Sequence, residues 1–145
     1  MRLRLTAAVA AIALTLAVGV EAAGACSCVA QPPREKLAAA AGAFNGRLLD
    51  VTPSGATGAV FRYRIGQVFK GRKRLHRGRT VRVHGGAHDG VCGLPQETGV
   101  VYGLFVYRED GHWSGNSCNV VSPGQLRRAA RRAASSRAGS SVLCG

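Results

Sequence analysis

The stretch Ala59-Val60-Phe61-Arg62-Tyr63-Arg64-Ile65-Gly66-Gln67-Val68-Phe69 decides how this chain is read. Phe61, Tyr63 and Ile65 alternate with Arg62 and Arg64. This period of two puts three large apolar side chains on one face of a β-strand and two guanidinium groups on the other. Working outward, the same logic predicts a preceding strand through Phe44-Asn45-Gly46-Arg47-Leu48-Leu49-Asp50-Val51 that stops at Thr52-Pro53-Ser54-Gly55. Downstream, Lys70 to Gly78 reads as a basic loop. A third strand, Thr80 to His84, turns Val81 and Val83 inward and ends at Gly85-Gly86. A fourth, Val100 to Tyr107, is apolar on both faces, as a central strand covered by a helix would be. After the turn Glu109-Asp110-Gly111, a short fifth strand carries His112-Trp113-Ser114 toward Cys118.

Two helices frame the strands. The first is expected from Arg34 to Ala41 behind Pro32-Pro33, and the second from Pro123 to Ala134 with Ser122 as its N-cap. On the second, Arg127, Arg128, Arg131 and Arg132 share one face, and Leu126, Ala129, Ala130, Ala133 and Ala134 lie opposite. The basic face could bind a polyanion, but packing of the alanine face on the barrel with the arginines solvated explains the same pattern and is the favoured reading. The fold class expected is mainly β: a five-stranded, closed or nearly closed barrel of the OB kind with two flanking helices, stapled by disulfides.

The chain opens with Arg2 and Arg4, an uncharged run from Leu5 to Val20, and the small residues Ala22-Ala23-Gly24-Ala25. These are the zones of a secretory signal peptide over residues 1–25, and a run of 16 residues is short for a membrane span. Ala23 and Ala25 permit cleavage directly before Cys26; Val20 and Ala22 permit an earlier cut that leaves Ala23-Gly24-Ala25 in place. A lipoprotein cut would instead anchor a lipid on Cys26, though it favours a larger aliphatic residue where Ala23 stands. The expected location is extracellular, with no membrane span in the mature chain.

Cleavage at Cys26 leaves 120 of the 145 residues, enough for one modest core that covalent staples would help. All five cysteines (Cys26, Cys28, Cys92, Cys118 and Cys144) lie on the mature side, which in an oxidising compartment reads as two bridges and one leftover thiol. Cys144, near the end of a Ser/Gly/Ala-rich tail, is the odd one. A zinc site is the competing account, but Cys26-Ser27-Cys28 lacks the two-residue gap of a zinc knuckle. The formal charge of +13, from 20 basic and 7 acidic residues, favours a polyanion or an anionic surface as partner. An excess of 17 Arg over 3 Lys in an Ala- and Gly-rich chain also fits compositional bias.

Cys26-Ser27-Cys28 at the cut site, Phe44-x-Gly46 with a hydrophobic pair after it, Val68-Phe69-Lys70-Gly71, Val91-Cys92-Gly93, Gly99-Val100-Val101-Tyr102 and Ser117-Cys118 occur in this order. Together they resemble the netrin-like domain, most closely the N-terminal domain of the tissue inhibitors of metalloproteinases and their small bacterial relatives. The resemblance covers residues 26–126, leaving 127–145 as a basic C-terminal helix and tail. It implies bridges from Cys26 to Cys92 and from Cys28 to Cys118. The animal inhibitors have a third bridge in this domain, and here its earlier partner is missing, because no cysteine lies between Cys28 and Cys92.

The resemblance also implies a mechanism: inhibition of a zinc metalloendopeptidase by the freed amine and the carbonyl oxygen of Cys26. An α-amino group with a pKa near about 8 offers a lone pair close to neutral pH. Amine and carbonyl together make a five-membered chelate that displaces the protease's zinc-bound water. Ser27 would enter the first primed-side pocket, and Gly90, Val91 and the loop from Pro53 to Gly58 would extend the contact. The alternative is a non-inhibitory extracellular netrin-like module that binds proteins or polyanions, since a fold does not fix a function.

An enzyme is not expected, and no cofactor is implied. His76, His84, His88 and His112 could act as bases, but no nucleophile or acid–base partner stands in a recognisable motif with them, and His88-Asp89 are merely adjacent. Export, and the restriction of interleaved aromatic and basic residues to the region of Phe61 to Tyr63, argue against nucleic acid.

Overall fold

The computed structural model describes residues 26–141; the expected signal peptide and Cys144 lie outside the described residues. The elements are α1 (Pro33–Ala39), β1 (Gly42–Ser54), β2 (Gly58–Lys70), β3 (Thr80–Gly86), β4 (Val101–Glu109), β5 (His112–Ser114), β6 (Val120–Val121) and α2 (Pro123–Ser141), with 3₁₀ turns at Asp89–Val91 and Ser117–Asn119. The described residues are mainly β, with two helices and two disulfides. Among the described residues no helix is long and apolar enough to cross a membrane.

The strand pairings run in a ring. β1 pairs antiparallel with β2, β2 with β3, β3 parallel with β5, β5 antiparallel with β4, and β4 antiparallel with β1. β6 adds a short pairing to β4, Gly103 opposite Val121 and Leu104 opposite Val120. β1 serves two neighbours because it is long and bulged, with register shifts at Ala43/Phe44, Asn45/Gly46 and Leu48/Asp50. Its first half pairs with β4 on one edge, while the other edge follows β2 throughout.

Side chains alternate between two cores. Phe44, Leu48, Phe61, Tyr63, Ile65, Val83, Leu104 and Val106 form the inner cluster, and Arg62 and Arg64 are exposed as their register requires. Tyr63 meets Phe44 edge-on, with ring centroids 6.1 Å apart. The outer cluster is Leu37, Ala40, Ala43, Phe105 and Leu126, where both helices pack on the ring. β4 is apolar on both faces for this reason: Leu104 and Val106 point to the inner cluster, and Phe105 between them meets the helices.

Both helices are pinned at their ends. Pro33 begins α1 with its φ preset, and Lys70 Nζ, at the end of β2, donates to the carbonyls of Leu37 at 3.0 Å and Ala38 at 2.7 Å, neutralising the helix's negative end. Ser122 and Gln125 make a capping box: Gln125 N–H donates to Ser122 Oγ at 3.3 Å, and Ser122 N–H donates to Gln125 Oε1 at 3.0 Å.

Several boundaries differ from the sequence expectation. β3 is not broken at Gly85-Gly86 but runs through both, because they pair with Ala59 and Gly58 of β2, and β4 spans Val101–Glu109, its end pairing with His112 of β5. β1 continues through Pro53 to Ser54, because Pro53 pairs with Ala59 where the strand's other edge no longer has β4 beside it, so its missing N–H costs no ladder bond. α1 begins at Pro33 and stops at Ala39, ahead of the turn into β1. α2 runs past Ala134 to Ser141; the serines after Ala134 donate back to carbonyls one turn earlier, Ser135 to Arg131 and Ser136 to Arg132. Ala134 is exposed rather than packed. β6 was not anticipated, two residues being too few for a periodic signal.

Burial and the register make two expected outcomes. Ile65→Ala lowers stability by about 2 to 5 kcal/mol, whereas Arg64→Ala changes it by less than about 0.5 kcal/mol; urea unfolding of both variants measures the order. Tyr63 is buried, and its Oη has no partner among the described residues. Burial, and then the neighbouring Tyr102, push its pKa well above the ordinary tyrosine value of 10.0. The unfolded chain therefore loses this proton first, so stability is intact below pH 10 and falls above it. Tyr63→Phe removes the orphaned hydroxyl and should hold or raise stability by about 1 kcal/mol at neutral pH. It should also lessen the alkaline loss, as urea midpoints at neutral and alkaline pH would report.

Candidate functional site

The Cys26-Ser27-Cys28 segment has no secondary structure of its own, and both of its cysteines are covalently bonded to the body of the protein. Disulfides join Cys26 to Cys92 and Cys28 to Cys118, with Cα atoms 5.3 Å apart in each. These are the two pairs the resemblance implies. All four sulfurs are thereby bonded in two pairs, so none is a thiolate available to a metal. No group of three or more His, Cys, Asp or Glu that could hold a metal ion occurs among the described residues.

The receiving loop is tightly wound. After β3, the Val91 and Gly93 N–H groups both donate to the His88 carbonyl, at 3.1 and 2.9 Å, and Cys92 between them takes a left-handed φ of 56°. A non-glycine residue there costs about 1 kcal/mol or more, and the disulfide and the two bonds about His88 hold it. Glycine is needed on both sides of the loop. A Cβ on Gly86 would stand 2.4 Å from the Val91 carbonyl oxygen, and one on Gly93 would stand 2.7 Å from that of His88. The second staple is tied to the first, since Ser117 N–H donates to the Cys92 carbonyl at 3.0 Å, and Lys36 Nζ of α1 donates to the Cys118 carbonyl at 2.5 Å.

The expected contact residues thus gather on one edge. Ser27, Gly90 and Val91 are exposed beside the Cys26–Cys92 bond. The β1–β2 hairpin joins them: its tip is exposed from Pro53 to Thr57, and Ala87 N–H donates to the Thr57 carbonyl at 2.8 Å, binding the tip to the cysteine loop. No protein-family model matches the chain, and no curated protein matches it. The case for this edge therefore rests on its own geometry.

Sequence reasoning missed Val29, which is 78% exposed immediately after Cys28 and presents an apolar side chain to solvent next to the staple. An aliphatic residue directly following a half-cystine on a segment without strand periodicity was the available signal. The histidines do not gather into one site. His84 and His112 stack with centroids 4.7 Å apart across β3 and β5, His76 lies on the β2–β3 loop, and His88 contributes its backbone to the cysteine loop. The side chain of Asp89, expected beside His88, lies outside the described residues.

The bridges close loops with sequence separations of 66 and 90 residues. Loop-closure entropy in the unfolded chain assigns about 4 kcal/mol to each. Joint replacement of Cys28 and Cys118 by serine should lower unfolding free energy by about that much while leaving the Cys26–Cys92 peptide pair intact in a non-reducing map. A loss below about 1 kcal/mol would mean the segment is held by something other than its staples.

Proposed function

We propose that the protein is an exported inhibitor of zinc metalloendopeptidases, a netrin-like domain whose ring of strands is a closed OB-type barrel. The observation that carries the reading is the double tethering of Cys26-Ser27-Cys28 beside the exposed Gly90-Val91 turn. With cleavage after Ala25, the new amine belongs to a residue whose side chain is bonded to the barrel. Amine and carbonyl of Cys26 then approach the protease's zinc as a rigid bidentate pair, so little conformational entropy is lost on binding. Displacing the zinc-bound water removes the nucleophile on which hydrolysis depends.

The neighbouring surface fits the same role. Ser27 projects from between the two staples, short enough for a pocket and able to donate a hydrogen bond. Val91 on one side and Val29 on the other offer apolar contact, and the hairpin tip bonded to Ala87 lengthens the ridge. The unbroken sequence of pairings from β1 through β2, β3, β5 and β4 back to β1 supports the barrel, and a closed sheet gives the ridge a stiff base.

Chelation requires an unblocked amine at residue 26. One alanine added before Cys26 should abolish inhibition while both disulfides and the thermal melt stay unchanged, and carbamylation of the amine should act alike. Ser27→Gly should instead change which proteases are inhibited, because it alters a pocket contact and not the chelate. The measurement is a titration of the processed protein against a panel of zinc endopeptidases; equal inhibition by the extended form would sink the proposal.

A further inference from the structure

The surface shared by the end of β1 with β2, β3 and β5 forms a groove of about 1000 Å³. Its cationic groups come from separate parts of the chain: Arg62 of β2, Arg74 and Arg79 of the β2–β3 loop, Arg82 of β3 and Arg108 of β4. Against these five guanidinium groups stands one carboxylate, Asp50, which accepts from Arg62 Nε at 2.7 Å. Among the described residues this is the groove's single ion pair.

The arrangement costs the free protein energy. Arg62 and Arg82 are direct cross-strand partners, and like charges in that relation repel. Arg79 is brought to the same place by its backbone, since Ile65 N–H donates to the Arg79 carbonyl at 2.9 Å and Gly78 N–H to the Ile65 carbonyl at 2.7 Å. A concave surface lined by one sign of charge focuses its field; the hollow between α1 and α2 is smaller, about 420 Å³, and carries three arginines, Arg34, Arg128 and Arg132. Guanidinium forks match carboxylate and sulfate oxygens two at a time.

We infer that this groove binds an acidic polysaccharide, a chain bearing carboxylate or sulfate groups that takes its place among Arg74, Arg79, Arg82 and Arg108. Single-stranded nucleic acid has the charge but also needs open aromatic faces on which to stack its bases. Here those faces are occupied: Arg108 lies 5.0 Å from the centroid of Trp113, and His84 and His112 face each other. The groove's aromatic rings are thus already engaged within the protein, and its guanidinium groups are what it offers to a ligand. Of the residues on the candidate inhibitory edge it includes Pro53 and Ser54 of the hairpin tip, but neither Ser27 nor Val91, so polysaccharide binding does not depend on the inhibitory reading.

Trp113 is the chain's single tryptophan and lies in the groove, so its fluorescence reports occupancy. The full exported protein is titrated with heparin, with a polyuronate and with a single-stranded oligodeoxythymidylate. Saturable change in Trp113 emission is expected with at least one polysaccharide, with affinity falling as salt rises; sulfate- and carboxylate-bearing probes tell which group is preferred. Arg74→Gln/Arg79→Gln/Arg82→Gln should weaken binding by about tenfold or more. Arg127→Gln/Arg128→Gln/Arg131→Gln, which removes the same charge from α2, should weaken it by less than about threefold, because those groups lie outside the groove. The single variant Arg82→Gln carries the comparison if the groove triple melts early. Equal weakening by both triples, tighter binding of the oligonucleotide than of either polysaccharide, or no saturable change would overturn the inference.

Discussion

The pair of covalent bonds from Cys26 to Cys92 and from Cys28 to Cys118 is the constraint on which the rest of this molecule turns. Residues 26–30 have no strand or helix to hold them. The bridges fasten this segment, and with it the N-terminal side of α1, to the cysteine loop and to the turn before β6. With them, the chain's first described residue is fastened to a loop that is itself locked by the bonds to the His88 carbonyl and by the link from Ser117 to Cys92. One arrangement serves stability and presentation together: loop-closure entropy falls on the unfolded chain, and the native segment is displayed in a fixed position.

The ring of strands is what gives those bridges a rigid base. Because β1 is bulged it can turn one edge to β4 and the other to β2, and the sheet returns on itself. Strand alternation then divides apolar side chains between an inner cluster and an outer one that seats the helices. Phe105 connects the layers, since its neighbours Leu104 and Val106 face inward while it receives Leu126 of α2. Lys36 and Lys70 fasten α1 at both sides, to the Cys118 carbonyl and to the end of the helix itself.

Much of this architecture was legible because it depends on local alternation. Phe61, Tyr63 and Ile65 against Arg62 and Arg64 need no long-range information to be assigned to opposite faces, and the two-faced apolarity of β4 already implied a covering helix. The extension of β1 through Pro53 was not legible, because proline ends a strand unless its missing donor faces an unpaired edge, and that edge is a property of the assembled sheet. Cysteine pairing was not deducible from residue spacing either, since four half-cystines admit three connectivities; the pairs followed from a resemblance. The bond from Ala87 to Thr57, which joins the hairpin tip to the cysteine loop, links residues 30 positions apart and leaves no local signature. The basic groove was invisible for the same reason. Its arginines are scattered through a chain rich in arginine, and only the register of β2, β3 and β5 gathers them.

Chelation by the Cys26 amine and carbonyl is most directly tested at the metal. A zinc endopeptidase that the processed protein inhibits is prepared with cobalt(II) in place of zinc, and its visible absorption is followed as the inhibitor is added. Replacement of the bound water by a nitrogen and an oxygen donor should change the ligand-field bands in proportion to complex formed, with an end point of one inhibitor per metal, and the alanine-extended protein should leave the spectrum as it was. Inhibition with an unchanged cobalt spectrum, or an equal spectral change with the blocked N-terminus, would contradict the account.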